Sequence, residues 1–447
     1  MSVEPRPLLL GLDVGTSRCK ALLVDRQGHE VGGATAVTPF ARTGDRVEMG
    51  VDALRSTLTR VLSALGPARS QVMAVGITGM AESGAPLDAG GEALAPIIGW
   101  HDPRGAEAVA RLEEHFGDAL PRRIGQRVRT VSSVAKLGWL VDHGVAGTRR
   151  WLGVPELCLF ALTRAEATDP SLAARTAAFD IVERRWLGEV PAALGFDVEV
   201  FPAVHAAGST MGRVREDASE WAGLSPGVPV TLAGHDHLAA LAGCGADRGD
   251  FGNSGGTAES VVAPSRTLPD LDQALALGLS VSLAPAGNGW VVLAGAARAG
   301  TAVTAVADAL HASPADLDRL AEDAGTSDRP GLLATALAGD VVVPSTEAPG
   351  ALWNALLAAL SIRTGEALRR AVDLVGLPPR LVVFGGGATS RPWLSAKAEL
   401  GIVPVWRTTT REAAARGAAL TAGVAAGWWS SPHEAPPALL ELIELAT

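Results

Sequence analysis

The sequence predicts an α/β protein with two lobes of similar length and order and a cleft between them. Three observations carry that expectation. Strand-like apolar runs alternate with segments of helical spacing in both halves of the chain. Glycine-rich loops bearing Thr or Ser follow three of the strands, at Asp13–Ser17, Asn253–Thr257 and Gly385–Ser390. Near the middle, the apolar run Val228–Ala233 ends at Gly234 and passes through His235-Asp236-His237 into a small-residue segment, with Leu238, Leu241 and Cys244 at helical intervals. Ligands in open α/β sheets gather at the carboxyl ends of strands, where a short loop enters a helix. Asp236 is therefore placed to reach a substrate while the scaffold holds it.

In order along the chain, Pro7–Leu12 is a continuous apolar run, Gly15-Thr16-Ser17 a turn, and Ala21–Val24 a second run. This pattern predicts a hairpin, with Glu30–Thr38 as a third strand. Asp52–Leu65 has helical periodicity closed by Pro67, and Gln71–Ile77 is a buried strand running into Thr78-Gly79-Met80-Ala81-Glu82-Ser83. Residues 96–104 form a turn-rich loop with Trp100, Asp102 and Arg104, and Gly105–Trp221 is mostly helical or irregular, with an amphipathic helix over Lys136–Val141. Phe251–Val262 repeats the opening hairpin. Strands follow at Gly289–Gly295 and Asp340–Val343, helices at Gly300–His311 and about Trp353–Val375, a strand at Arg380–Phe384, and finally Val403–Trp406 and the helix Arg411–Ala426. The recurrence places the lobe boundary after residue 235, giving lobes 1–235 and 236–447.

Composition excludes several classes. Charged residues make up 19% and hydrophobics 47% of the 447 residues, so a large core is available and global disorder is not expected. A formal charge of −10 with no basic patch argues against nucleic acid as a partner. Cys19, Cys158 and Cys244 are too scattered for a disulfide framework or a metal site and suit small buried hydrophobes. Leu8–Leu12 is too short for a secretory signal, and Ala413–Trp429 is interrupted by Arg416 and too small-residue-rich to span a membrane. A cytoplasmic protein is expected.

Glycine lets a backbone approach a phosphate and point N–H groups at it, and Thr or Ser adds hydroxyl donors. One such loop is usually a hairpin tip; three at strand ends, the first with an acid, suit a phosphate ligand. No Walker A pattern occurs, and Gly385-Gly386-Gly387 lacks the G-x-G-x-x-G spacing of dinucleotide folds. Asp236 also suits a helix N-cap, a role compatible with catalysis. His235 and His237 lack a third ligand for zinc.

Gly11–Ser17, Gly234-His235-Asp236, Gly256-Thr257 and Gly385–Ser390 together resemble the FGGY carbohydrate kinases, as do Trp100-x-Asp102-x-Arg104 and the closing segment Arg411–Leu420. The resemblance covers nearly the whole chain. It implies two ribonuclease H-like (actin-like ATPase) domains, a sugar-binding lobe before a nucleotide-binding lobe, and ATP with Mg2+. It further implies that Asp13 holds the metal, that Thr16, Ser17, Gly256 and Thr257 contact the phosphates, and that Gly386, Gly387 and Ala388 line the adenosine site with Gly300 nearby. Asp236 becomes the general base toward a hydroxyl of a small sugar or polyol (xylulose-, fuculose- or glycerol-like), with Glu82, Trp100, Asp102, Arg104 and His237 as sugar-binding residues. Trp100 suits a core position equally, and Arg104 a simple pair with Asp102. Dimers are common in that family, so a homodimer is one expected assembly. The chain departs from the family pattern at Pro344–Trp353, which keeps Glu347 and Pro349 without an arginine, and at Met80–Ser83. A nucleotide-dependent interaction protein of the actin kind and a sensor that binds sugar without phosphate transfer are the rival expectations.

Overall fold

A computed structural model describes residues 6–256, 258–343 and 346–444. The first apolar runs form β1 (Leu8–Val14) and β2 (Arg18–Val24), an antiparallel hairpin, with β3 (Glu30–Val37) antiparallel beyond. Every residue of β1 is buried, because helices cover one face of the sheet and the cleft and core the other. After α1 (Val51–Ala64), β4 (Val72–Gly79) pairs parallel with β1. The helical middle of the chain contributes α2 (Ser133–Asp142) and α3 (Pro170–Arg175). The short β5 (Gly212–Arg213) and then β6 (Pro229–His235) return to the first sheet, whose order is β5-β6-β4-β1-β2-β3.

Helix α4 (Asp236–Gly243) leads into a second sheet built on the same plan. The hairpin β7 (Phe251–Gly255) and β8 (Glu259–Ser265) is followed by β9 (Ser280–Leu283), β10 (Trp290–Ala297), α5 (Ala299–Ala309) and the long α6 (Pro349–Val375). Next come β11 (Leu381–Phe384), α7 (Arg391–Ala398), β12 (Val405–Thr408), α8 (Ala413–Ala425) and β13 (Leu440–Leu442). The order is β9-β10-β8-β7-β11-β12-β13. In each sheet a central strand pairs antiparallel with its hairpin partner and parallel with a later strand, and another parallel strand follows. The expected repetition of architecture is present.

One detail differs from the sequence reading. Asp340–Val343 is not a strand: these residues pair with no neighbour, Val342 is 74% exposed, and the Asp340 amide folds back onto the Thr335 carbonyl. Strand propensity without a partner strand is not enough. The predicted closing helix is present as α8, which lies against β1, β4 and β6 of the first sheet and crosses α4. A single cut after residue 235 therefore leaves a helix of the second lobe packed on the first. The crossing explains the run of alanines: a Cβ on Gly417 would sit 1.8 Å from the Ala239 carbonyl oxygen, and one on Gly243 2.0 Å from that of Ala413. Among the described residues no helix is long and apolar enough to cross a membrane.

Candidate active site

The two sheets present their loops to one cleft of about 700 Å3. Its walls carry Asp13, Thr16, Ser17, Glu82, Trp100, Asp236, His237, Gly256 and Gly386. Residues more than two hundred positions apart thus meet as the sequence reading expects. Gly300, Gly387 and Ala388 are not in the cleft lining; Ala388 is buried behind the Gly385-Gly386 loop, and Gly300 lies in the first turn of α5. Thr257 falls outside the described residues, as do Pro344 and Ser345 of the divergent segment, whose Glu347 pairs with Arg329 at 2.7 Å.

Asp236 is the first residue of α4, with His235 at the cap position. The strand end is fixed by two hydrogen bonds. The Thr78 hydroxyl donates to the Gly234 carbonyl at 2.6 Å, and the His235 amide donates to the Ser171 hydroxyl at 3.1 Å. That hydroxyl in turn donates to Asp169 at 2.6 Å. Gly234 itself needs to be glycine: φ is 89°, and a Cβ would meet Pro285 at 2.5 Å. Oδ1 of Asp236 accepts the His237 amide at 2.7 Å and lies 3.2 Å from His235 Nε2. Burial holds both imidazoles in their neutral form, His235 well below its ordinary range and His237 near 4. Oδ2 has no hydrogen bond among the described residues. Burial, opposed by the His237 amide and by Lys20, raises Asp236 to about 7.

Asp13 lies near the end of β1 in the same sheet, with β4 between its strand and the one that leads into Asp236. Its Oδ2 lies 3.6 Å from Lys20 Nζ, which also pairs with Glu412 at 2.7 Å. Its Oδ1 is buried with no hydrogen-bond partner among the described residues. Burial raises Asp13 to about 7, Lys20 opposes the shift, and the charges of Asp236 and Glu412 add to it. Two carboxylates thus share one ammonium, and carboxylate oxygens are the donors a hard divalent cation favours.

Trp100 joins the two ends of the site. Its indole N–H donates to Thr16 Oγ1 at 2.9 Å, and its amide to Ser83 Oγ at 2.8 Å. Glu82 has φ 69°, an uncommon conformation for a residue with a Cβ, and pairs with Arg175 at 2.5 Å. Asp102 and Arg104 lie behind the cleft. The Arg104 guanidinium forks onto Asp102 at 2.6 and 2.8 Å, pairs with Glu48 at 2.6 Å and stacks over Trp139. Asp102 also accepts the Val47 amide, and the buried Lys136 ammonium donates to its carbonyl. These residues brace the Trp100 loop. Removing one partner of such a pair strands a buried charge. Arg104→Met is therefore expected to cost about 3 kcal/mol of stability, read by denaturant unfolding; a change under about 0.5 kcal/mol would show the pair to be dispensable.

The sequence reading missed Lys20, Arg129, Arg175 and Arg411, all on the cleft walls. Lys20 was within reach of it: in the predicted hairpin it stands directly across from Asp13.

Two sheets of one strand order facing a cleft, with the carboxylates of Asp13 and Asp236 at the ends of two parallel strands of the first, define a two-domain protein of the actin-like ATPase fold. Residues 8–243 match the N-terminal domain of the FGGY family of carbohydrate kinases. The chain is 28% identical to the L-fuculokinase of Salmonella typhi, covering 96% of this chain and 94% of that protein. It is 30% identical to the glycerol kinase of Aromatoleum aromaticum, covering 95% and 91%. Among solved structures, a xyloylose kinase from Brucella ovis superposes with a TM-score of 0.83 at 23% identity, covering 98% of this chain and 95% of that one. The chain belongs to the FGGY family of carbohydrate kinases. It is a sugar or polyol kinase, with ATP as the phosphoryl donor.

Proposed function

We propose that Asp236 is the general base that accepts the proton of the attacking sugar hydroxyl. In this reading the substrate oxygen forms a bond to the γ-phosphorus of ATP, the bond to the β,γ-bridging oxygen breaks, ADP leaves and the proton goes to Asp236 Oδ2. The observation that supports it best is a cleft-lining carboxylate whose Oδ2 has no hydrogen bond among the described residues, held at a strand end pinned by Thr78 and Ser171. Phosphoryl transfer depends mainly on position and charge neutralisation, and a fixed carboxylate supplies the first.

Lobe 1–235 holds the sugar through Glu82 and Trp100, with His237 just beyond its end completing the sugar site and Asp102 and Arg104 positioning the Trp100 loop. Lobe 236–447 holds the nucleotide. Thr16, Ser17, Gly256 and Thr257 receive the phosphates, and Gly386, Gly387, Ala388 and Gly300 form or back the adenosine side. The orphaned Oδ1 of Asp13 fits hydrated Mg2+. When bound there, the metal supplies positive charge against the phosphates. Asp13→Asn is expected to weaken Mg-ATP binding at least tenfold by titration calorimetry and to change metal-free ATP binding less; equal affinity with and without the substitution would remove Asp13 from that role.

The deciding experiment measures ADP release from Mg-ATP across ketoses, deoxyketoses, polyols and aldonates, with Asp236→Asn alongside. An Asp236-dependent hit supports the reading. Saturable sugar binding with no ADP release from any member would favour a sensor.

A further inference from the structure

The sugar end of the cleft holds more positive charge than a neutral substrate needs. Arg175, at the end of α3, is 7% exposed, and its buried Nε has no hydrogen-bond partner among the described residues although its Nη2 pairs with Glu82. A buried donor left unmade is costly unless a ligand completes it. Arg129 stands beside it on the cleft wall, and its guanidinium makes no ion pair or hydrogen bond among the described residues. It is held in place by its backbone. Its amide donates to Ser132 Oγ at 3.3 Å and its carbonyl accepts the Ser132 amide at 2.9 Å. Gln126 of the same loop donates to the Ala174 carbonyl at 2.9 Å, which couples the Arg129 loop to the helix carrying Arg175. Burial and the neighbouring Arg175 charge both push Arg129 below its ordinary range, so the two cations repel. Glu82 balances one of them. The two neutral histidines add no charge at neutral pH, and Asp236 stands at the reacting end.

We propose that the substrate is a sugar acid whose carboxylate, remote from the phosphorylated hydroxyl, is bound by Arg129 together with Arg175. The proposal rests on the kinase reading above and names its substrate class. A carboxylate suits this place because it is planar and accepts paired N–H donors from a guanidinium, and a bidentate contact discriminates strongly against an uncharged analogue. Leaving the Arg129 guanidinium and the Arg175 Nε unmatched against a neutral sugar would forfeit affinity. Glu82, fixed by Arg175 and held in a strained backbone, remains to accept hydroxyl protons along the sugar chain.

The test uses matched pairs, an aldonate and the polyol or ketose of the same carbon number, with the full chain and Mg-ATP. The wild type is expected to favour the aldonate at least 100-fold in kcat/KM. Arg129→Gln should shrink that ratio tenfold or more, chiefly through KM, and Arg129→Lys should restore part of it. A wild-type ratio near or below one, or a ratio unchanged in Arg129→Gln, would overturn the proposal. Calorimetric titration of aldonates into nucleotide-free protein separates it from the kinase reading. Arg129-dependent aldonate binding without ADP release from any sugar would uphold the carboxylate site and remove the kinase assignment. ADP release confined to neutral sugars would do the reverse.

Discussion

Asp236→Asn is expected to lower kcat by about 10³-fold, within the 10²–10⁴ range typical of a lost general base, while Mg-ATP binding persists. Asparagine keeps the shape and the acceptor for the His237 amide but cannot take a proton. The same substitution makes two pH predictions whose signs follow from burial. For activity, the base must be ionised, so wild-type kcat/KM should rise with pH along a limb centred no higher than about 7, since a cation beside Asp13 can only favour the carboxylate. The variant's residual activity should lack that limb. For stability, the carboxyl titrates near 7 folded against 3.8 in the ordinary range, so the folded state binds the proton more tightly. Stability from this group is complete below about 3.8 and is lost as pH rises through about 7. Asp236→Asn should therefore raise the melting temperature at pH 8 and leave it unchanged at pH 4. The full difference corresponds to at most about 4 kcal/mol at 1.36 kcal/mol per unit. With 26% of the side chain exposed, solvent should reduce it to roughly half. Wild-type turnover in the variant would remove the assigned role. An unchanged melting temperature at pH 8 would show that the carboxylate is better solvated than its surroundings imply.

Much of this site was legible in the sequence because it is built from local devices. Strand, glycine turn and acid lie within a few residues of one another at Asp13 and at Asp236, and hairpin register carries Lys20 to Asp13. The resemblance to carbohydrate kinases brought the separate pieces to one cleft. What stayed hidden depends on non-local geometry. Arg175 reaches Glu82 across 93 residues of mostly helical chain, and no periodicity reports that approach. The Trp100-x-Asp102-x-Arg104 loop reads as three ligands or as an Arg104–Asp102 pair, and only the fold shows that Trp100 goes to the cleft while the paired Asp102 and Arg104 turn onto the Val47 amide and Glu48. Residues 340–343 have strand composition but no partner strand. The destination of α8 was hidden for the same reason: its small residues signal close packing without saying against what.

That destination sets the second large effect. Gly417→Ala is expected to cost at least about 3 kcal/mol, the upper part of the overpacking range, although alanine is the better helix former by about 1 kcal/mol. The added Cβ would lie 1.8 Å from the Ala239 carbonyl oxygen and 2.7 Å from its carbon, and those atoms are helix backbone that cannot rotate aside. Helices α4 and α8 must therefore separate by more than 1 Å, and Asp236 is the first residue of α4. A misplacement of that size near the reacting atoms costs about 10²-fold in rate, so kcat should fall even in the protein that remains folded. Ala425→Ser, near the end of the same helix and half-buried, is the control and should cost only about 0.5 kcal/mol through helix propensity. The two effects separate packing from chemistry: Asp236→Asn loses turnover and gains stability at pH 8, whereas Gly417→Ala loses both. Wild-type melting and turnover in Gly417→Ala would mean that the two helices do not meet as closely as the structure places them, and that α8 does not set the position of the base.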